Sequence, residues 1–192
     1  MKTRNIVLDM GKSFVYVIMA AAAVCCISSC KEQSLETTYS SQEDRIDSFI
    51  ESLLNQDPDM TVVHNGGSNR IVLQEGSGEG LAAGGTVSFH YAGYIFTGSA
   101  PSPGNLFATN REDTANESGW TLTDPDYSIL KLKLDDDSKL VEGLRKGLLG
   151  VKAGEICYIV FSGKYGFGDE IIGSIPANSA LIYQIWVESL TD

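Results

Sequence analysis

The sequence lacks the residues that most catalytic chemistry needs. It has only two histidines, His64 and His90, and both fall in segments that read as strands. No serine or cysteine stands in a nucleophile motif, so an ordinary hydrolase has no support. The glycine-rich segment 75–85 is acidic and has no Gly-Lys-Ser/Thr, which argues against a phosphate-binding loop. Three aspartates at 135–137 are not followed by evenly spaced ligands, so neither a metal nor another cofactor is expected.

Basic residues and cysteines are also scarce. Lysine and arginine total 14 against 25 aspartates and glutamates, which gives a formal net charge of −11. A chain this acidic is not expected to bind nucleic acid, or to adhere by charge to anionic lipid. After residue 30 the only cysteine is Cys157, so no internal disulfide is possible there. Its place in an apolar strand predicts a buried, inert thiol.

The N-terminus has an apolar run that is too short for a comfortable membrane span. Three basic residues precede this run, which extends over 14–27 and ends at Ser28-Ser29-Cys30. The pattern predicts a signal peptide over 1–29. It resembles the bacterial lipobox, which implies that Cys30 is acylated and becomes the new N-terminus. An ordinary signal peptide and an uncleaved anchor are the alternatives.

Acylation of Cys30 would hold the chain on a bilayer without a spanning helix. Loss of 1–29 removes three positive charges and one negative charge, leaving a net charge of −13. Lys31-Glu32 faintly resembles a surface-export signal of Bacteroidetes lipoproteins. We therefore expect a bacterial cell-envelope protein, lipid-anchored to the outer membrane on its periplasmic or surface face.

A polar tether and an amphipathic helix are predicted next. Residues 30–40 read as a flexible tether, and Ser41 reads as the N-cap of a helix over 41–57. This helix ends before Pro58, and its apolar residues share one stripe: Ile46, Phe49, Ile50, Leu53 and Leu54. The stripe suits packing on a sheet or formation of a homodimer, with the helix at 42–56 joining two copies. Packing is the favoured alternative.

The rest of the chain, 61–192, reads as one α+β domain with a twisted antiparallel sheet wrapped around a short helix. Strand patterns alternate with turn signals, and a long polar loop is predicted over 98–126. A short helix with its terminal glycines, a β-branched strand and a glycine-spaced aromatic loop follow one another over 139–168. A helix laid against such a strand predicts a shallow apolar pocket. The strands are predicted at 61–64, 70–73, 86–96, 127–134, 156–161 and 180–190.

An ordered set of short motifs carries a family resemblance. The motifs are His90-Tyr91-x-Gly93, Val141-x-Gly-Leu-x-x-Gly-Leu148, Gly154-Glu155, Tyr165-Gly-Phe-Gly168 and Ile175-Pro-x-x-x-x-Leu181. Each motif is weak alone, and the set is fairly specific because all of them occur in order. From about Ile71 to Leu190 the chain thus resembles the FKBP family of peptidyl-prolyl isomerases, and the N-terminal helix is an addition to that plan.

The resemblance implies a site and a reaction. The expected reaction is rotation about X–Pro bonds of proline-containing polypeptides in an apolar pocket. Tyr91, Val141 and Phe167 are expected to act in catalysis, with the backbone N–H of Val141 as donor to the substrate carbonyl. The expected substrate-binding residues are Phe107, Leu140, Leu144, Ile175 and Tyr183.

Departures from the family pattern keep two hypotheses open. Ala108 follows Phe107 where an acidic residue is typical, and Phe167 stands where a second tyrosine is typical. Leu144 replaces a frequent tryptophan, and the shortened loop 169–173 carries two isoleucines in place of a polar tip. The first hypothesis is an isomerase that assists the folding of exported proteins. The second is a catalytically weak peptide-binding, chaperone or docking module of the envelope.

Overall fold

The computed structural model describes residues 32–121, 126–135 and 137–191, which divide into two units between residues 40 and 41. In the first unit, residues 32–40 are helical, so the prediction of a flexible tether is wrong over this stretch. The stretch contains neither glycine nor proline, and the Thr37 and Thr38 hydroxyls donate to carbonyls one turn earlier. Within the described ranges no helix has the length and apolarity to cross a membrane. The predicted signal peptide and Cys30 lie outside those ranges.

The second unit begins with residues 41–54, which belong to helix α1 (residues 32–54). The Ile46, Phe49 and Ile50 side chains of α1 are at most 5% exposed, and they pack in one cluster with side chains of the sheet. Since the chain itself covers this stripe, packing on the sheet is the alternative that the structure shows. The homodimer through the helix at 42–56 stays a prediction.

The described strands form one antiparallel sheet in the order β1-β2-β6-β7-β3-β4, with β5 also paired to β3. Two short helices, α2 (Glu112–Glu117) and α3 (Glu142–Leu148), follow β4 and β5, and 3-10 turns occupy Pro103–Asn105 and Gly163–Tyr165. The strands are β1 (Val62–Asn65), β2 (Ser68–Gln74), β3 (Thr86–Ile95), β4 (Leu106–Thr109), β5 (Leu130–Lys133), β6 (Ile156–Phe161) and β7 (Leu181–Thr191).

The sheet carries apolar clusters on both faces. One cluster packs around α3 and includes Phe89, Leu148 and Phe161, whereas the other lies under α1. Strand β3 serves both, because successive side chains of a strand point to opposite faces. Cys157 is fully buried in the α3 cluster, and burial raises the pKa of its thiol well above the usual value. This agrees with the predicted inert thiol.

The predicted polar loop over 98–126 is wrong as a description of that segment. It contains both β4 and α2, and β4 pairs with β3 from Ala92–Thr109 to Tyr94–Leu106. Leu106 is 7% exposed and anchors this pairing in the α1 cluster. The surrounding polar residues hid a strand of only four residues. The next strand, β5, starts at Leu130 and not at 127.

Candidate functional site

A cavity of about 400 Å³ lies beside α3 on the inner face of the sheet. Its walls come from strands β3, β4, β5 and β7, from α3 and the residues before it, and from the segments 167 and 172–175. Most of the lining side chains are apolar or aromatic. The lining residues are Phe89, Tyr91, Phe107, Ala108, Leu130, Leu140, Leu144, Phe167, Ile172, Gly173, Ser174, Ile175 and Tyr183.

The cavity brings together seven of the eight side chains predicted to form the site. The exception is Val141, which is not a lining residue and packs partly buried against the α3 cluster. Val141 is the N-cap of α3, with a φ of −60°, and its carbonyl accepts the Arg145 N–H at 3.0 Å. No described residue accepts a hydrogen bond from the Val141 N–H. The structure shows where these residues lie, and their catalytic roles stay predictions.

Aromatic contacts fix one wall of the cavity. The Phe107 and Tyr183 rings meet edge to face with centroids 5.6 Å apart, and Tyr183 stacks on Phe161 at 6.0 Å. Gly93 makes this packing possible, since a Cβ there would lie 2.7 Å from the Phe107 ring and 2.9 Å from the Tyr183 ring. Strand β4 therefore lies on β3 with its phenylalanine over the cavity. The sequence predicted Phe107 as a site residue but not the strand that carries it.

Two glycines set the position of helix α3. A Cβ on Gly143 would lie 2.2 Å from Cγ of Phe161, and one on Gly147 would lie 2.2 Å from Cγ2 of Ile159. The helix backbone therefore sits directly on β6. Leu144, on the neighbouring side of the same helix, lines the cavity.

The C-terminal end of α3 is held by a buried ion pair that the sequence did not reveal. The Arg70 guanidinium donates to the carbonyls of Gly147, Leu149 and Gly150, and its Nε lies 3.3 Å from Oε1 of Glu155. Both side chains are less than 10% exposed. Cations stabilise the C-terminal end of a helix, so this arginine fixes α3 against β2. Its only signal was an arginine beside the apolar run 71–73.

The electrostatics of the cavity offer no acid–base pair. Burial raises the pKa of Tyr91 above its ordinary value, and burial together with neighbouring Tyr91 raises that of Tyr183. Both hydroxyls therefore stay neutral at physiological pH. Among the residues that the structure describes, no carboxylate, histidine or lysine lines the cavity. The described residues also contain no cluster of three potential metal ligands.

The mouth of the cavity is bordered by exposed apolar side chains. Leu130 and Ile172 line the cavity while remaining 36% and 40% exposed, and their neighbours Ile129 and Ile171 are 49% and 73% exposed. Ile172 and Ile175 exchange backbone hydrogen bonds of 3.1 and 2.9 Å, which shape the loop at this edge. The arrangement can enclose an apolar group and bind an extended chain across its mouth.

The comparison with protein families decides the identity. The sequence model of the FKBP-type peptidyl-prolyl cis-trans isomerases matches residues 78–188. The chain belongs to this family. It is a peptidyl-prolyl cis-trans isomerase of the FKBP type, so the enzyme predicted from the motifs is confirmed. A relative in Aspergillus oryzae, FK506-binding protein 1, is 29% identical over 119 residues, which cover 62% of this chain and 94% of the relative.

Solved structures show the same FKBP-like fold. The three FKBP domains of wheat FKBP73 match 69% of this chain at 20% identity with a TM-score of 0.54, and this chain spans 51% of that structure. FkpA from Escherichia coli matches over the whole chain and 83% of its own, with 16% identity and a TM-score of 0.53. The N-terminal domain of FKBP42 from Arabidopsis thaliana is 19% identical to this chain and has a TM-score of 0.52. The match covers 70% of this chain and 94% of that domain. The predicted α+β fold class is confirmed.

Proposed function

We propose that the cavity accelerates rotation about X–Pro bonds by removing the reacting amide from water. The uncatalysed barrier is about 20 kcal/mol because resonance holds the amide planar and polar. The twisted amide is less polar, so a dry apolar wall penalises it less than the planar form. Only such differential binding lowers a barrier. No acid, base or metal takes part in this mechanism.

The backbone N–H of Val141 is the proposed donor to the substrate carbonyl that precedes the proline. It stands at the start of α3, where helix N–H groups have no partner within the helix. The proposal rests on two features that lie side by side: an apolar, aromatic cavity and the Val141 N–H, for which no described residue is a hydrogen-bond acceptor. With proline in the cavity and the preceding carbonyl hydrogen-bonded to the Val141 N–H, the amide to be rotated would be oriented.

The proposed substrates are non-native exported proteins. The exposed isoleucines at the mouth of the cavity suit an apolar residue beside the proline, which a folding chain exposes and a folded protein buries. The missing polar groups at Ala108 and Phe167 reduce affinity for the peptide backbone, so we propose a modest kcat/KM that reflects a raised KM. The surface then retains the capacity to bind apolar segments without catalysis.

A backbone substitution tests the donor. Val141→Pro removes the N–H but keeps the carbonyl, and the native φ of −60° is the value that proline imposes. Val141→Ala keeps the N–H and removes most of the side chain, so it is the matched control. We expect kcat/KM for a Leu-Pro peptide to fall about tenfold or more in Val141→Pro, as for loss of one hydrogen bond. The kcat/KM of the control should stay within a few-fold of the wild-type value. The thermal midpoints of both variants should stay close to that of the wild type.

Equal activities of the two Val141 variants, in chains that both fold, would eliminate the N–H as donor. The substrate carbonyl would then bind elsewhere, and apolar enclosure alone would have to account for catalysis.

We further propose that the enzyme is a lipid-anchored protein of the bacterial envelope. The support is the sequence alone, namely the apolar run that ends at Ser29-Cys30. Labelled palmitate should be incorporated into the wild type during bacterial expression and not into Cys30→Ala. Cys26→Ala is the matched control and should keep the label. Label that persists in Cys30→Ala would refute the assignment of the anchor.

A further inference from the structure

A closed ring of four hydrogen bonds joins helix α1 to two loops at the edge of the cavity. The Gln42 Oε1 accepts the Gly163 N–H at 2.8 Å, and the Gly163 carbonyl accepts the Gly168 N–H at 3.1 Å. The Gly168 carbonyl accepts the Asn178 N–H at 2.5 Å, and the Asn178 carbonyl accepts Nε2–H of Gln42 at 2.6 Å. Gln42 is thus the one side chain in a ring otherwise made of backbone groups.

The ring includes the residues that carry two walls of the cavity. Phe167 lies directly before Gly168, within the turn that the Gly163 carbonyl closes, and Ile175 lies three residues before Asn178. Neither loop is part of a strand. The positions of these two walls therefore depend on loop contacts, and Gln42 supplies a contact to each loop.

The surroundings show that the two loops are held at close range. A Cβ on Gly163 would lie 2.5 Å from the Asn178 carbonyl oxygen, so only glycine allows this approach. Asn178 has a φ of +60°, the only positive φ of a non-glycine among the described residues. Such a conformation persists where surrounding contacts fix it.

Gln42 is buried for this role, being only 5% exposed. It lies four residues before Ile46, on the stripe of α1 that faces the sheet, where a polar side chain needs partners. The neighbouring Glu43 adds a contact, since the Ser162 hydroxyl donates to its carboxylate at 3.2 Å. Helix α1 thus does more than cover an apolar face.

We propose that Gln42 is a positioning residue of the isomerase, acting through Gly163 and Asn178 to hold the Phe167 and Ile175 walls at the spacing that the prolyl group requires. The helix that precedes residues 78–188, the part matched to the family, then determines how well the cavity binds its substrate. Loss of the Gln42 contacts should loosen both loops, and a loosened cavity encloses the amide less well.

Gln42→Met in the full-length chain is the test, because methionine keeps the length and helix propensity of glutamine without its hydrogen bonds. We expect kcat/KM for a Leu-Pro peptide to fall about tenfold, chiefly through KM, since small misplacements of binding groups are costly. The affinity for a fluorescently labelled form of the same Leu-Pro peptide should fall in parallel. Hydrogen exchange of the Gly163 and Asn178 N–H groups should accelerate.

Two controls separate positioning from general stability. Gln56→Ala changes an exposed glutamine near the end of α1 and should leave both activity and exchange unchanged. Ile46→Ala removes a buried α1 side chain that belongs to the α1 cluster and not to the cavity, so it should lower the thermal midpoint and preserve KM. Gln42→Glu is the second variant if the methionine variant does not fold. It keeps an acceptor for Gly163 but sets a carboxylate oxygen against the Asn178 carbonyl in place of the donor, so it should raise KM at least as much as the methionine variant.

Unchanged KM and affinity in Gln42→Met, despite faster exchange at Gly163, would overturn the proposal. The proposal would also be overturned if Ile46→Ala raised KM as much as Gln42→Met does while having the same thermal midpoint as Gln42→Met. If the wild type bound the peptide without isomerising it, the mechanism proposed above would fail separately. The affinity comparison would still decide the role of Gln42.

Discussion

At the scale of single residues, the cavity has kept its apolar surface and lost polar groups. Phe167 and Ala108 both line it, where the family resemblance implies a hydroxyl and an acid. Apolar walls are sufficient for desolvation, whereas hydrogen bonds to the peptide backbone add affinity. These two positions should therefore affect KM more than kcat.

Restoring the hydroxyl tests this division. Phe167→Tyr should lower KM for a Phe-Pro peptide several-fold, with kcat nearly unchanged, because a hydrogen bond contributes about 1 kcal/mol. Steady-state kinetics on folded chains measures the effect. Tyr165→Phe, in the same loop but outside the cavity lining, is the control and should leave KM unaltered. An unchanged KM in Phe167→Tyr would show that position 167 does not bind the backbone.

The titration behaviour of the cavity gives a second prediction at this scale. Burial disfavours phenolate, so the pKa values of Tyr91 and Tyr183 rise above 10 and both groups stay protonated through pH 9. Within the described ranges, no other titratable side chain lines the cavity. The catalysed rate, corrected for the uncatalysed one, should be flat from pH 6 to pH 9. A bell-shaped profile in that range would indicate a catalytic acid or base and contradict the desolvation mechanism.

At the scale of elements, the close packing of α3 on β6 makes its glycines sensitive. Gly143→Ala should destabilise the chain by about 2 kcal/mol, because overpacking costs roughly 1–3 kcal/mol and exceeds the gain in helix propensity. The free energy of unfolding in urea measures this. Gly104→Ala is the control, since a Cβ there meets no atom within 4 Å. A stabilised Gly143→Ala variant would show that α3 does not sit directly on the strand.

Periodicity predicted α1 and β6 and missed β4 and α2. The apolar stripe of α1 and the β-branched run of β6 identified both elements from the sequence, and β6 has the bounds that were predicted. Strand β4 has four residues and depends on pairing with β3, which no local pattern encodes. The helical state of residues 32–40 was missed because polar composition was taken to indicate a tether.

At the scale of the whole molecule, the order of the motifs predicted the cavity. It did not predict the long-range contacts that hold the elements around the cavity in place. Seven of the predicted side chains line one cavity, and four of them, Tyr91, Leu144, Phe167 and Ile175, belong to the motifs themselves, because the fold brings the elements that carry the motifs to the same face. Arg70 and Gln42 act across 77 and 136 residues of sequence, on carbonyls at the end of α3 and in the Asn178 loop. Contacts of this kind depend on the assembled fold, so a single sequence shows them only as polar residues beside apolar stretches.

The most direct test of the account is a protease-coupled isomerisation assay of the chain without residues 1–29, with Leu-Pro and Phe-Pro peptides. The cavity should accelerate isomerisation in proportion to enzyme concentration, and Tyr91→Ala, which opens its wall, should abolish most of the acceleration. Circular dichroism must show that both proteins are folded. No acceleration by a folded wild type would contradict catalysis by this cavity. The protein would then be one that binds apolar peptides without isomerising their prolyl bonds.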